Sequence, residues 1–327
     1  MSSNLQDKSN TKGIASIIGA KKIMDARNKV FRSHLECRIT RENPCAIILL
    51  IDQSGSMGRS YFNSKQEEKR ISEEVADAIN YFLEYLIFRS TNGNEIREYF
   101  KFLIIGYGNE EKENYASFVW EGNLKGKDWI SVKELAENIL EQSTKTETKI
   151  HHWGEQYEEK TTKKIWIRAR AEGRNTPMLS ALKLCKTKIE EFIETRSDNF
   201  PPIVFNLTDG IPTDIEDLSD LIEICSEIKS IDTSFGHTVL FNCLLSGQNE
   251  NKTFLPRLSE IEKMEANKYH ISLFESSSIL PDFILEEAYK VFKDEKYNSK
   301  EAIKSLVLNI EPSRLIELLK IGTRTTK

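Results

Sequence analysis

Five oxygen-bearing side chains stand where strands give way to turns. Asp52, Ser54 and Ser56 occupy alternate positions in AIILLIDQSGSM (46–57), directly after six consecutive apolar residues. Thr176 lies in GRNTPM, just before Pro177, and Asp209 closes IVFNLTDG (203–210). Two carboxylates and three hydroxyls, with no nitrogen or sulfur among them, suit a hard cation, Mg²⁺ before Mn²⁺ or Ca²⁺. Short hydroxyls can reach an octahedral ion directly, while the aspartates take one edge of it or hold its waters. The D-x-S-x-S spacing lets a turn leaving a strand point alternate side chains at one centre, and Gly55 permits the bend. Neutral hydroxyls quench the ion's charge less than carboxylates would. It therefore keeps an appetite for an outside anionic oxygen, most simply a Glu or Asp of another protein. Each segment also has a plainer role, since Ser and Asp are common in turns and a Thr before Pro is a common helix cap. Convergence of all three is what would make a site.

Convergence depends on the elements that carry these residues. The run 46–51 is continuous and apolar, as in a strand covered on both faces. Ile71, Val75, Ile79, Phe82, Leu83 and Leu86 recur at helical spacing. FKFLIIGYG (100–108) and YASFVWEG (115–122) read as strands, and 128–142 as a helix. Residues 143–172, charged and partly alternating, suggest an inserted hairpin. A helix over 177–196 with Pro in its first turn follows, then a strand (203–210), an amphipathic helix through Leu218–Ile228, a strand (238–247) and a helix over 256–267. YHISLFE (269–275) reads as a last strand, and two helices, 281–293 and 299–321, end the chain, the second broken or kinked at Pro312. Strands alternating with helices predict an α/β fold, Rossmann-like and doubly wound, with a mostly parallel six-stranded sheet and helices on both faces. Ligands of such sheets sit at the carboxyl ends of strands where strand order reverses. If the first and fourth strands are neighbours there, Asp52 and Asp209 lie side by side.

The composition sets the surroundings. The chain has 327 residues and a net charge of −5, which argues against a general nucleic-acid binder. Residues 1–43 hold nine Lys/Arg against four Asp/Glu, a net +5, so the remainder carries −10. This basic N-terminal extension is expected to be partly disordered and partly helical (13–36). Five scattered cysteines without a C-x-x-C pattern indicate a reducing compartment. No apolar run approaches the roughly 20 residues of a membrane span, and IASIIGA is too short for a signal peptide. A cytoplasmic location is the expectation. The sequon Asn206-Leu207-Thr208 falls inside a buried strand and carries no meaning for glycosylation. His151-His152 is expected in a surface loop, because adjacent strand residues face opposite ways.

LLIDQSGSM, GRNTPMLSAL and FNLTDGIPTD together resemble the three parts of the metal-ion-dependent adhesion site (MIDAS) of von Willebrand factor type A (vWA) domains. The resemblance covers roughly residues 44–280, and its flavour is that of the bacterial cytosolic type found with tellurite-resistance genes, called TerY-like. It implies a Rossmann-like six-stranded sheet, one divalent ion on its top face bound by Asp52, Ser54, Ser56, Thr176 and Asp209, and metal-mediated protein binding. The expected organisation is thus an N-terminal extension (1–43), a vWA domain (44–280) with an insertion near 143–172, and a C-terminal helical extension (281–327). Family members often carry Gly-Gly before the Thr, whereas this chain has Arg174-Asn175. By analogy the partner is a kinase or a phosphatase encoded nearby, in a bacterial stress-response or phage-defence cluster. Met57, Arg59, Arg174, Met178 and Ile211 would form the rim.

Two other classes of function compete with a non-enzymatic interaction module. A Mg²⁺-dependent phosphoryl-transfer enzyme needs a nucleophile or base beside the metal. Both aspartates are committed to the ion, and no phosphate loop, third dinucleotide glycine or G-x-S-x-G elbow appears. A structural scaffold would instead bind through the terminal helices.

Overall fold

The computed structural model describes residues 39–63, 66–108, 116–150, 156–195, 198–246, 252–261, 266–298, 301–321 and 323. Most of the basic N-terminal extension and the helix expected over 13–36 lie outside them, as does His151-His152.

The central sheet is built from β1 (Cys45–Asp52), β2 (Phe100–Tyr107), β3 (Ala116–Phe118), β4 (Ile130–Ser131), β7 (Phe200–Thr208), β8 (Val239–Leu245), β9 (Thr253–Phe254) and β10 (Leu306–Ile310). Between β4 and β7, β5 (Glu141–Ile150) and β6 (Gln156–Ile165) form a separate antiparallel hairpin in the region expected to hold an insertion. The sheet runs β9-β10-β8-β7-β1-β2-β3, with β4 also pairing β2. Its five inner strands, β10, β8, β7, β1 and β2, are parallel, and the short edge strands are antiparallel. This is an α/β, mostly parallel arrangement compatible with a Rossmann-like fold.

Every residue of β1 is buried. Ala46, Ile48 and Leu50 pack with α3 (Met178–Thr195), α4 (Leu218–Ser230) and α6 (Lys268–Ser276), through Met178, Leu182, Cys225 and Leu273 among others. Ile47, Leu49 and Ile51 point the other way and are buried too. Outside that cluster, α1 (Ile71–Ser90) packs against α2 (Val132–Glu137) and α8 (Leu315–Ile321). Both faces of the sheet are therefore covered. The remaining helices are α5 (Leu258–Ile261) and α7 (Asp282–Phe292).

Strand order reverses at β1. The chain leaves β1 for β2 on one side and returns to β7 on the other, with Ile51 opposite both Gly106 and Leu207. Beneath this point a row of buried hydrogen bonds crosses the sheet. Tyr107 Oη donates to Asn206 Oδ1 (3.0 Å), Asn206 Nδ2 to Asn242 Oδ1 (3.0 Å), and Asn242 Nδ2 to Ser277 Oγ (3.2 Å). Asn206 is thus a fully buried sheet residue, satisfied by its neighbours.

The expected count of six strands and the purely helical C-terminal extension are corrected together. YHISLFE is not a strand but most of α6. Its alternation of Tyr269, Ile271 and Leu273 misleads, because Ile271 is exposed and the buried set is Tyr269, Ser272, Leu273, Phe274 and Ser276. The side chain of Asn267 accepts from His270 N and starts the helix. The strand that enters the sheet instead is LVLNI (306–310), inside the stretch expected to be helical. Four of its five residues are buried, so it has the composition of a covered parallel strand rather than a one-sided helix. With β4, β9 and β10 added and 269–275 removed, the sheet has eight strands. The helix expected over 128–142 shortens to Val132–Glu137, started by a reciprocal Ser131–Glu134 capping box.

Two lysines, Lys304 just before β10 and Lys229 near the end of α4, bind the C-terminal end of α6. Lys304 is buried, donates to Ser277 O (2.5 Å) and lies over the Phe274 ring, while Lys229 donates to Glu275 O (2.8 Å). Both amino groups thereby donate to carbonyls at a helix C-terminus. Desolvation, and then the neighbouring Lys229, hold Lys304 well below the usual lysine range. Between that lowered value and the ordinary one near 10.5, the unfolded chain binds the proton and the native chain does not, so this group makes stability rise with pH. In Lys304→Met the contribution is gone. The urea stability of the variant relative to the wild type should therefore decline as pH is raised from neutrality towards 10; parallel pH profiles would contradict this.

Candidate metal centre

The first loop leaves β1 at Asp52 and turns through a single 3₁₀ turn, Gly55–Gly58. Asp52 is buried and oriented from two sides. Its Oδ1 accepts from Ser54 N (2.9 Å), and its Oδ2 from Thr208 Oγ1 (2.8 Å), the last residue of β7. Burial first, and the neighbouring charge of Asp209 in addition, push the Asp52 carboxyl above the usual aspartate range, against the lowering effect of these hydrogen bonds. The Ser54 and Ser56 hydroxyls are 2.9 Å apart, and Ser56 Oγ donates to Asp209 Oδ1 at 2.7 Å. Three of the five sequence-predicted residues thus form one hydrogen-bonded row, and Asp52 joins it through the Ser54 backbone and Thr208.

Thr176 is buried on the second loop. Its backbone is clasped to the third loop, with Thr176 N donating to Thr213 Oγ1 (2.9 Å) and Thr213 N to Thr176 O (3.0 Å). Its hydroxyl faces Gly210, where an added Cβ would stand 3.7 Å from Oγ1. All three loops therefore meet at the carboxyl ends of β1 and β7.

Several contributors carry little sequence signal. Asp214 accepts from Leu179 N (3.0 Å) and Ser180 N (2.8 Å), capping α3 in place of the Thr suggested by the sequence. Tyr269 Oη donates to Gly210 O (2.7 Å), an anchor hidden by the misassigned strand. Gln53, Gly108 and Gly173 join the first two loops. Gly55 N donates to Gly173 O (2.5 Å), and Glu172 N and Gly173 N both donate to Gln53 O (3.1 and 3.2 Å). A Cβ on Gly173 would fall 1.1 Å from Gly108 O. Position 173, two residues ahead of Asn175, therefore has room only for glycine.

Arg59 brings a guanidinium into direct contact with this row. Its Nη2 pairs with Asp209 Oδ2 at 2.9 Å and its Nε donates to Ser56 O at 3.2 Å. The Asp209 side chain is 1% exposed and that of Arg59 64%. The arginine covers the carboxylate from the solvent side.

The donor set fits a hard divalent cation: oxygen atoms only, short side chains, and two carboxylates close enough to repel. It lacks the donors of a zinc or heavily carboxylated calcium site, and among the described residues no three His, Cys, Asp or Glu side chains gather as a metal-binding group. Any ion held here would lean on Ser54, Ser56 and Thr176. No protein-family model and no curated protein sequence matches this chain. Among the described residues, no helix is long and apolar enough to cross a membrane.

Gly173→Ala should force the second loop away from Gly108 and cost about 3 kcal/mol of stability. Urea denaturation would measure it, and a change below about 0.5 kcal/mol would contradict the close approach.

Proposed function

We propose that this chain is a vWA-type interaction module whose MIDAS-like site holds Mg²⁺, or Mn²⁺ or Ca²⁺ in its place, and captures an acidic residue of a protein partner. The observation that carries this reading is the contact of Ser56 Oγ with both Ser54 Oγ and Asp209 Oδ1, residues 153 positions apart brought to neighbouring strand ends. In this reading Ser54, Ser56 and Thr176 hold the ion directly, and Asp52 and Asp209 hold it or its waters. The cation neutralises the repulsion between the two aspartates. Adding the charges of Asp52, Asp209, Arg59 and a divalent ion leaves one positive charge, which favours one outside carboxylate. The oriented state of Asp52, with both oxygens already hydrogen-bonded, suits a ligand that acts through water.

The TerY-like resemblance extends the proposal to a cytoplasmic role in bacterial stress response or phage defence, beside a kinase or phosphatase. Of the apolar residues expected at the rim, Met57 and Met178 are fully buried, and Ile211 alone is exposed and would form part of the partner's footing. The module is non-enzymatic in this reading, and neither membrane nor nucleic acid is involved.

The test is ligand-linked stability. Mg²⁺ at one hundred times its Kd should stabilise the wild type by about 2.7 kcal/mol. Asp209→Asn should abolish that gain, and equal stabilisation of the variant would overturn the assignment. Pull-down of a partner should fail in EDTA and with the same variant. Arg59 opposes the ion electrostatically but is exposed, so Arg59→Ala should tighten Mn²⁺ binding by no more than about fivefold, as counted by electron paramagnetic resonance. Weaker Mn²⁺ binding in that variant would assign Arg59 a supporting role instead.

A further inference from the structure

Directly beside the candidate metal centre lies an open hollow of about 530 Å³. Gly55 and Gly58, which bracket Ser56 and Met57 in the first loop, form one wall; Arg59, Arg70 and Arg170 line it. Arg59 belongs to both places, since its guanidinium also touches Asp209. The metal centre and the hollow therefore share a wall.

The charges of the hollow are unevenly matched. Arg59 is paired with Asp209, and Arg170 with Glu121 (2.9 Å), a residue that also receives Arg168. Arg70 is exposed and has no carboxylate partner among the described residues. Glu73 and Glu172 line the same hollow, so three guanidiniums face two carboxylates there. A guanidinium has five N–H donors in a planar fork, and the pairs just named leave several of them unused on Arg59 and Arg170 and all on Arg70. The setting sharpens the contrast: residues 44–327 carry a net charge of −10, yet arginines collect on this one side of the metal loop.

We propose that this hollow is a second oxyanion subsite, and that the segment captured at the metal presents two anionic side chains. One carboxylate completes the ion, and a second carboxylate or a phosphate enters between Arg59, Arg70 and Arg170. The proposal rests on the metal-dependent reading above and deepens it, because it names the partner as an acidic or phosphorylated peptide segment rather than a single exposed Glu. Arg70 is the specificity-determining residue: it faces the hollow and takes no part in the metal centre. Glu73 and Glu172 tune the subsite against excess negative charge, so a segment with a few anions is favoured over a polyanion.

Two fluorescein-labelled peptides of equal length serve as probes on the full chain, one of consecutive glutamates and one with a central phosphoserine flanked by a single glutamate. Binding is read by anisotropy in Mg²⁺ and in EDTA, and metal affinity separately by Mn²⁺ electron paramagnetic resonance. Arg70→Gln should weaken peptide binding about fivefold and Arg70→Glu further, with Mn²⁺ affinity unchanged. Lys133→Gln, on the exposed face of α2, should change nothing. A larger loss for the phosphoserine peptide identifies phosphate as the entering group, and equal losses identify carboxylate. If Mn²⁺ binds but neither peptide does, or if both peptides bind the Arg70 variants as tightly as the wild type, the subsite is overturned. If binding survives EDTA yet falls in Arg70→Gln, the subsite stands and the metal-dependent reading falls.

Discussion

The site depends on backbone clasped to backbone. Loops at strand ends are ordinarily the mobile, variable part of an α/β fold. Here the first and second loops are joined by Gly55 N to Gly173 O and by Glu172 N and Gly173 N to Gln53 O, over a contact between Gly173 and Gly108 that leaves no space for a Cβ. Because these links use only main-chain atoms, the side chains of Ser54, Ser56 and Thr176 stay available. The third loop is tied by the reciprocal Thr176–Thr213 pair and by Tyr269 to Gly210 O. Residues more than 150 positions apart are thus held at hydrogen-bonding distance by an arrangement that none of them makes itself.

That division explains what was legible in the sequence. The inner strands could be read because burial on both faces leaves an unbroken apolar run, as in Ala46–Ile51. The amphipathic helices could be read because burial on one side leaves spacings of three and four. The polar residues at strand ends followed from the general position of ligands in open sheets, and Asp52, Ser54, Ser56 and Asp209 are indeed brought into one connected group. The clasp was less accessible. Gln53 and Gly173 carry no signal of their own in the sequence. Their importance lies in which backbone atoms approach them from elsewhere, and that is a property of topology.

The misread C-terminal third has a similar cause. In a seven-residue window, Tyr269, Ile271 and Leu273 alternate as a half-buried strand would, and the spacing of three and four that wins in the structure needs Ser272 and Ser276 counted as buried. Small hydroxyl residues do not register as apolar, yet they pack where helices lie close to a sheet. Conversely, Leu306–Ile310 sits in a stretch whose leucines and isoleucines satisfy either period, and it lies beside β8 through the parallel ladder and through Ser305, whose Oγ donates to Leu240 O and whose O accepts from Asn242 N. The consequence reaches the site: α6, rather than a strand, supplies Tyr269 to the Asp209–Gly210 turn.

The choice of hydroxyls over carboxylates follows from the same burial. Asp52 lies in a desolvated position and already feels Asp209, so its carboxyl is pushed towards the neutral form. A third carboxylate in place of Ser54 or Ser56 would add repulsion beside a carboxylate that burial already disfavours. Hydroxyls accept a cation without that penalty, and they can donate to Asp209, as Ser56 does. Arg59 takes up one oxygen of Asp209 from the solvent side, where its own charge remains well hydrated. The result is a centre of two aspartates and three hydroxyls with a cationic rim at Arg59. Under the metal-dependent reading proposed above, such a centre leaves part of an ion's coordination to an anion from outside.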